Sequence, residues 1–179
     1  MNEKYYIYRI KKGDHQALDS FIEKLYPPIY SFIYYKVKGE DIAKDLTQET
    51  FIRFIKALPT YHCEGKVLHY LYRIASHVCL SYWKNQTMLL PIDDEILEDD
   101  KTDVHETILK QMTHEQLKKA IYLLKPYEQD IIILKYFQQY TFLEISKIYQ
   151  IPLSTVKTRH YQTLKKLKKI LERSHYDGY

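Results

Sequence analysis

The 179-residue chain reads as all-α, folded as two small helical domains, and three observations carry that reading. Glycine is scarce, with 4 residues, and no alternating Val/Thr-rich run bounded by turn dipeptides occurs, which argues against a β architecture. Apolar residues instead recur at helical spacing in three separate stretches, Leu18 to Ile33, Ile42 to Leu58 and Val156 to Leu171. Charge is also divided unevenly. Residues 1–85 carry 13 basic and 9 acidic side chains, 86–112 carry 2 and 8, and 113–179 carry 12 and 6. Two basic blocks therefore flank an acidic strap, and the domains predicted are 1–86 and 113–179 with an acidic linker over 87–112.

Several classes drop out on composition. No 18-residue apolar run is present, and the opening NEKYYIYRIKK is too charged for a signal peptide, so a cytoplasmic location is expected. The two cysteines, Cys63 and Cys79, lack CxxC spacing, so no disulfide framework is expected.

In chain order, Gly13-Asp14 opens a helix through Leu18, Phe21, Ile22 and Leu25, and Pro27-Pro28 is expected to interrupt it before a second apolar pattern at Ile29, Phe32 and Ile33. Asp41 to Leu58 follows as an amphipathic helix. Ile42, Leu46, Phe51, Phe54, Ile55 and Leu58 fit its buried face, leaving Asp45, Gln48, Glu49 and Arg53 for the surface. Between Tyr61 and Lys84 aromatic rings alternate with cations, the combination that single-stranded nucleic acid requires: rings to stack on bases and charges to follow phosphates. Leu71, Ile74, Ala75 and Val78 form the packed side of that helix. The acidic strap, with Pro91-Ile-Asp-Asp-Glu95, lacks a sustained apolar period.

Thr141 and Glu144 have capping-box spacing, so a helix starts there. A second helix begins at Pro152, after a turn at Gln150-Ile151. At about 100 degrees per residue, His160, Thr163, Leu164, Leu167, Ile170 and Leu171 fall within roughly 80 degrees of Val156 and form one largely apolar stripe. The rest of the circumference carries Lys157, Arg159, Lys165, Lys166, Lys168, Lys169 and Arg173, against Glu172 as the one acid. A helix that packs on one side, is cationic on the other and follows a tight turn suits the DNA major groove.

These strings together resemble the extracytoplasmic-function (group IV) sigma factors of bacterial RNA polymerase, in the sigma-70 family. Asp45 to Phe51, DLTQETF, is similar to region 2.2. Tyr70-Leu-Tyr-Arg-Ile-Ala75 and Tyr82-Trp83-Lys84 are similar to regions 2.3 and 2.4. Leu124 to Leu171 is similar to region 4, including the Ile-Pro-x-x-Thr-Val-Lys-x-Arg string at Ile151 to Arg159. The resemblance runs along nearly the whole chain in the right order.

The resemblance implies a non-catalytic initiation factor, with core RNA polymerase and promoter DNA as partners, no cofactor and no small-molecule substrate. Asp45, Gln48, Glu49 and Arg53 would dock on the clamp helices of the largest subunit, and the flap region is a further polymerase contact. Tyr61, His62, Lys66, Tyr70, Arg73, His77, Trp83 and Lys84 would capture the melted −10 element, with a flipped base near the loop Tyr61 to Lys66. Ser154, Thr155, Lys157, Thr158, Arg159, Tyr161, Gln162 and Lys165 would read the −35 element. The acidic strap would thread the polymerase cleft, and family habit adds an anti-sigma factor. Gln150, Ser146, His160, His77 and Ser81 depart from the family's usual Gly, Ala, Leu, Asn and Asp; the changes bear on the promoter sequence read, not on the fold. The alternative reading of the motif is a stand-alone helix-turn-helix regulator. His62, Cys63, His69, His77 and Cys79 match no standard zinc spacing, so no metal is assigned.

Overall fold

The computed structural model describes residues 3–62, 66–86 and 113–176, and these hold helices and short connections, with no strand. The acidic linker of residues 87–112, with its expected path through the polymerase cleft, lies outside the described residues, as do Cys63 and the apex of the loop expected to hold a flipped base.

Four helices make the first unit: α1 (Glu3–Lys11), α2 (His15–Tyr34), α3 (Glu40–Ala57) and α4 (Val67–Gln86). Asp14 caps α2, accepting from the Ala17 N–H at 2.9 Å and from Arg9 Nε at 2.7 Å. Glu3 of α1 performs the same service at a distance in sequence, its carboxylate accepting from the Val67 N–H at 2.8 Å and so closing the start of α4. The turn before α3 needs Gly39, whose φ of +100° an L side chain rarely adopts.

Pro27 and Pro28 do not break α2; both lie inside one continuous helix. Phe21, Leu25, Ile29, Phe32 and Ile33 form an unbroken buried stripe past the prolines. The carbonyls released by the missing N–H groups belong to Glu23 and Lys24, both exposed to water. Core burial on one face and solvation on the other thus override the local break. On the flank, Tyr26 and Tyr30 stack with centroids 5.9 Å apart, and Tyr26 stacks on Phe51 of α3.

The second unit comprises α5 (His114–Tyr122), α6 (Pro126–Ile132) running into a π-helical turn (Ile133–Phe137), α7 (Phe142–Tyr149) and α8 (Leu153–Tyr176). Capping boxes start α5 through Thr113 and Gln116, and α7 through Thr141 and Glu144. The two units pack on each other through α4, whose inner face meets α6 and α7. Tyr72, wholly buried on that face, donates to Gln138 Oε1 at 3.0 Å.

Candidate nucleic-acid and polymerase interfaces

The turn between α7 and α8 is set by two local devices. Thr141 Oγ1 accepts from the Glu144 N–H at 3.2 Å, and Glu144 accepts from the Thr141 N–H at 3.0 Å, so the start of α7 is closed. That bond to the Thr141 backbone, then the one to its hydroxyl, holds the Glu144 carboxyl below its ordinary range. At the other end Gln150 is left-handed, with φ 56° and ψ 41°, and the N–H groups of Gln150 and Ile151 return to the Ser146 carbonyl. Helix α8 begins at Leu153, one residue later than expected; Pro152 precedes it and accepts from the Val156 N–H.

Val156, His160, Thr163, Leu164 and Leu167 are all buried, as their common stripe requires. His160, polar in an apolar row, is accommodated by aromatic neighbours: its Nε2 lies 2.9 Å from the Tyr136 hydroxyl and its ring 4.7 Å from that of Phe142. The Thr163 hydroxyl donates to the Arg159 carbonyl at 2.7 Å. Ser154, Lys157, Thr158, Tyr161 and Gln162 are exposed on the opposite face, with Thr155, Arg159 and Lys165 half-buried beside them.

Two cations counted with the solvent face are engaged by α6. Arg159 and Lys166 lie only about 60 and 80 degrees from Val156, at the edge of the packed stripe. The Arg159 guanidinium sits over the Tyr127 ring at 5.1 Å, and Lys166 pairs with the buried carboxylate of Glu128. Tyr127 had no motif to announce it, since it lies outside the helix-turn-helix. Lys166 therefore anchors α8 against α6.

On α4, Tyr70, Arg73, His77 and Lys84 fall within about 60 degrees of one another, and Trp83 lies about 80 degrees outside that arc. The four form a stripe on which His77 and Lys84 are exposed, while Arg73 covers the Tyr70 ring at 5.3 Å. Tyr61 stacks on Tyr70 at 4.8 Å, and both rings stand edge-on to Phe54, so each is part core and part surface. Lys11 donates to the Tyr61 carbonyl at 2.8 Å and steadies the loop. His62 and Lys66 are exposed at its two described ends. Trp83 points elsewhere: its Nε1 donates to the Lys36 carbonyl at 3.2 Å and its ring meets Tyr122 of α5 at 4.5 Å. His69, also toward the second unit, stands edge-on to Tyr140, and burial pushes its pKa down.

On α3, Asp45, Gln48 and Arg53 are exposed and Glu49 is half-buried, with Arg53 Nε 2.7 Å from Glu49. Ile55, expected in the core, is exposed, and so is Ile52. The buried side is filled instead by Ala43, Thr47, Thr50, Phe51 and Phe54, where each threonine hydroxyl is satisfied by a carbonyl four residues back. The outer face of α3 therefore mixes two isoleucines with acids, an amide and an arginine, a composition that suits a protein partner.

The family model for Sigma-70 region 2 matches residues 21–88, and that for Sigma-70, region 4 matches residues 120–169. The chain belongs to the extracytoplasmic-function group of the sigma-70 family. It is an alternative RNA polymerase sigma factor directing transcription initiation, and the presence of region 2 beside the helix-turn-helix disfavours a stand-alone regulator. Among curated relatives, it is 26% identical over 177 residues to the ECF RNA polymerase sigma factor SigW of Bacillus subtilis, covering 92% of this chain and 94% of that one. To the ECF RNA polymerase sigma factor BldN of Streptomyces coelicolor it is 24% identical over 167 residues, or 91% of this chain and 63% of BldN. Among solved structures, the sigma factor RpoE of Bartonella quintana, in complex with the anti-sigma factor NepR, shares the fold with a TM-score of 0.64 at 16% identity, covering 87% of this sigma factor and 96% of RpoE. No described helix is long and apolar enough to cross a membrane.

Proposed function

We propose that residues 1–86 dock on core RNA polymerase and melt the −10 element, that 87–112 link the units, and that 113–179 read the −35 element. The observation that carries the reading is α8. It is anchored on one side by Val156, His160, Thr163 and Leu167, and offers Ser154, Lys157, Thr158, Tyr161 and Gln162 on the other, close to its N-terminus. Lys157 and Arg159, with Lys165, supply charge beside the groups able to reach base edges. Arg159 comes to that edge already oriented by Tyr127.

In this reading Asp45, Gln48, Glu49 and Arg53 meet the clamp helices of the largest subunit, with Ile52 and Ile55 adding apolar contact. The stripe Tyr70, Arg73, His77 and Lys84, with Tyr61, His62 and Lys66 at the loop, holds the displaced single strand; Trp83 joins it only after leaving Tyr122. The factor carries no catalytic chemistry of its own, acts in the cytoplasm where the polymerase works, and is stored by an anti-sigma factor, a reading supported by the complex of the related RpoE with NepR. Run-off transcription with core polymerase on genomic fragments tests the whole proposal. Discrete transcripts that appear only with the factor support it, and their absence with a factor that co-elutes with core refutes it.

A further inference from the structure

Helix α1 carries a face that neither proposed DNA surface uses. Ile7 and Ile10 bury its inner side, and at about 100 degrees per residue Tyr5, Tyr8, Arg9 and Lys12 gather on the opposite side. Tyr5 is 54% and Tyr8 61% exposed. The Arg9 guanidinium lies over the Tyr5 ring at 5.7 Å and the Lys12 ammonium over the Tyr8 ring at 5.9 Å, so each exposed ring is followed four residues on by a cation. Lys12 is one residue past the helix, where its N–H still donates to the Tyr8 carbonyl at 3.2 Å. Lys4 is exposed beside them. The acids of this segment are engaged by other groups: Glu3 accepts from the Val67 N–H, and Asp14 pairs with Arg9 at 2.6 Å while capping α2.

A helix that needs only solubility has no use for two rings in water. One exposed tyrosine is ordinary, but here two stand three residues apart, about 5–6 Å between their Cβ atoms, each with its own cation. The same combination occurs on α4, where Arg73 covers the Tyr70 ring at 5.3 Å. Rings stack on bases, and cations follow phosphates. An unpaired strand offers both, whereas the bases of a duplex are already stacked on one another.

The position of α1 names the strand. Its C-terminal end is tied to one end of the loop by Lys11, which donates to the Tyr61 carbonyl at 2.8 Å, and its N-terminal end to the other by Glu3 at Val67. The cationic, aromatic face of α1 is thus continuous with the surface of Tyr61, His62 and Lys66. The region 2 match begins at residue 21, so α1 lies outside it.

We propose that α1 is a second single-strand platform: Tyr5 and Tyr8 stack on nucleotides of the displaced strand that adjoin those held at the loop, and Lys4 and Lys12 follow their phosphates. The proposal rests on the −10 reading of the loop and α4. Fluorescence anisotropy of the full-length chain at low salt tests it, with labelled oligothymidine of about 20 nucleotides and a duplex of equal length as probes. Tyr5→Ala with Tyr8→Ala should weaken oligothymidine binding at least fivefold and leave duplex binding within twofold. Tyr5→Phe with Tyr8→Phe should bind as wild type, because the rings remain. Lys4→Ala with Lys12→Ala should reduce the salt slope of log affinity for oligothymidine by about 0.7 per lysine. Should the alanine tyrosine pair lose helix content, the phenylalanine and lysine pairs decide: weakened binding in the first or an unchanged slope in the second overturns the platform. Full oligothymidine affinity in a folded alanine pair, equal weakening on both probes, or a wild type that does not bind oligothymidine also overturns it. Tyr70→Ala in the same titration tests the −10 surface itself, and unchanged binding there removes that reading instead.

Discussion

Gln150 occupies a conformation that only glycine adopts without strain, and replacing it should stabilise the chain. Its φ of 56° and ψ of 41° put it in the left-handed region, where an L side chain is disfavoured by about 1–2 kcal/mol. Glycine removes that strain, but its unfolded chain is more flexible, which offsets about 0.5–1 kcal/mol. Gln150 is exposed, so little packing is lost. The net expectation for Gln150→Gly is a gain of about 0.5–1 kcal/mol, seen as a rise of about 1–4 °C in thermal midpoint. Gln150→Ala is the necessary comparison, because it shortens the side chain while keeping the Cβ that causes the strain. Denaturation of the three proteins followed by circular dichroism should rank Gly above both Gln and Ala. If Gln150→Gly proves no more stable than Gln150→Ala, the left-handed turn is not strained and this account of how α8 is aimed is wrong.

Glu144→Gln should flatten the acid limb of stability. Its carboxyl pKa is depressed from 4.5 in the folded state, so its contribution is present above that value and lost as pH falls through the depressed one. Glutamine still serves the capping box and does not titrate; melting points between pH 6 and 2 that fall equally in both proteins would count against this. If Lys157 and Arg159 touch phosphates, each alanine replacement should reduce the salt slope of log affinity by about 0.9, measured with holoenzyme on promoter fragments. If Arg159, held by Tyr127, is bidentate to a guanine, its loss should instead cost about 1–3 kcal/mol on the matching sequence and relax discrimination there; a double variant with wild-type affinity and slope would remove α8 as the reader. Gln48→Ala with Glu49→Ala should weaken core binding in a titration while helix content holds, and unchanged affinity would take α3 out of the interface.

Features whose causes lie within a few residues are legible in the chain alone. The Thr141–Glu144 box, the turn at Gln150, and the buried row Val156, His160, Thr163, Leu164 and Leu167 all follow from local bonding or from a period of 3.6 residues, and each occurs as read. Whatever depends on which side of a helix meets what is set by packing between helices. Pro27 and Pro28 continue α2 because the core holds the apolar residues on either side of them in line. Ile55 is exposed because Phe54 and Phe51, with Thr47 and Thr50, already fill the space under α3. Trp83, Lys66 and Lys166 are engaged by Tyr122, Glu144 and Glu128 from remote segments, partners that residue type and spacing do not reveal. The buried Lys36–Asp130 pair is the extreme case: the two residues are 94 positions apart, and each reads as an ordinary surface charge. Periodicity reports that a face is buried, whereas the partner that buries it is set by packing between segments that share no local pattern.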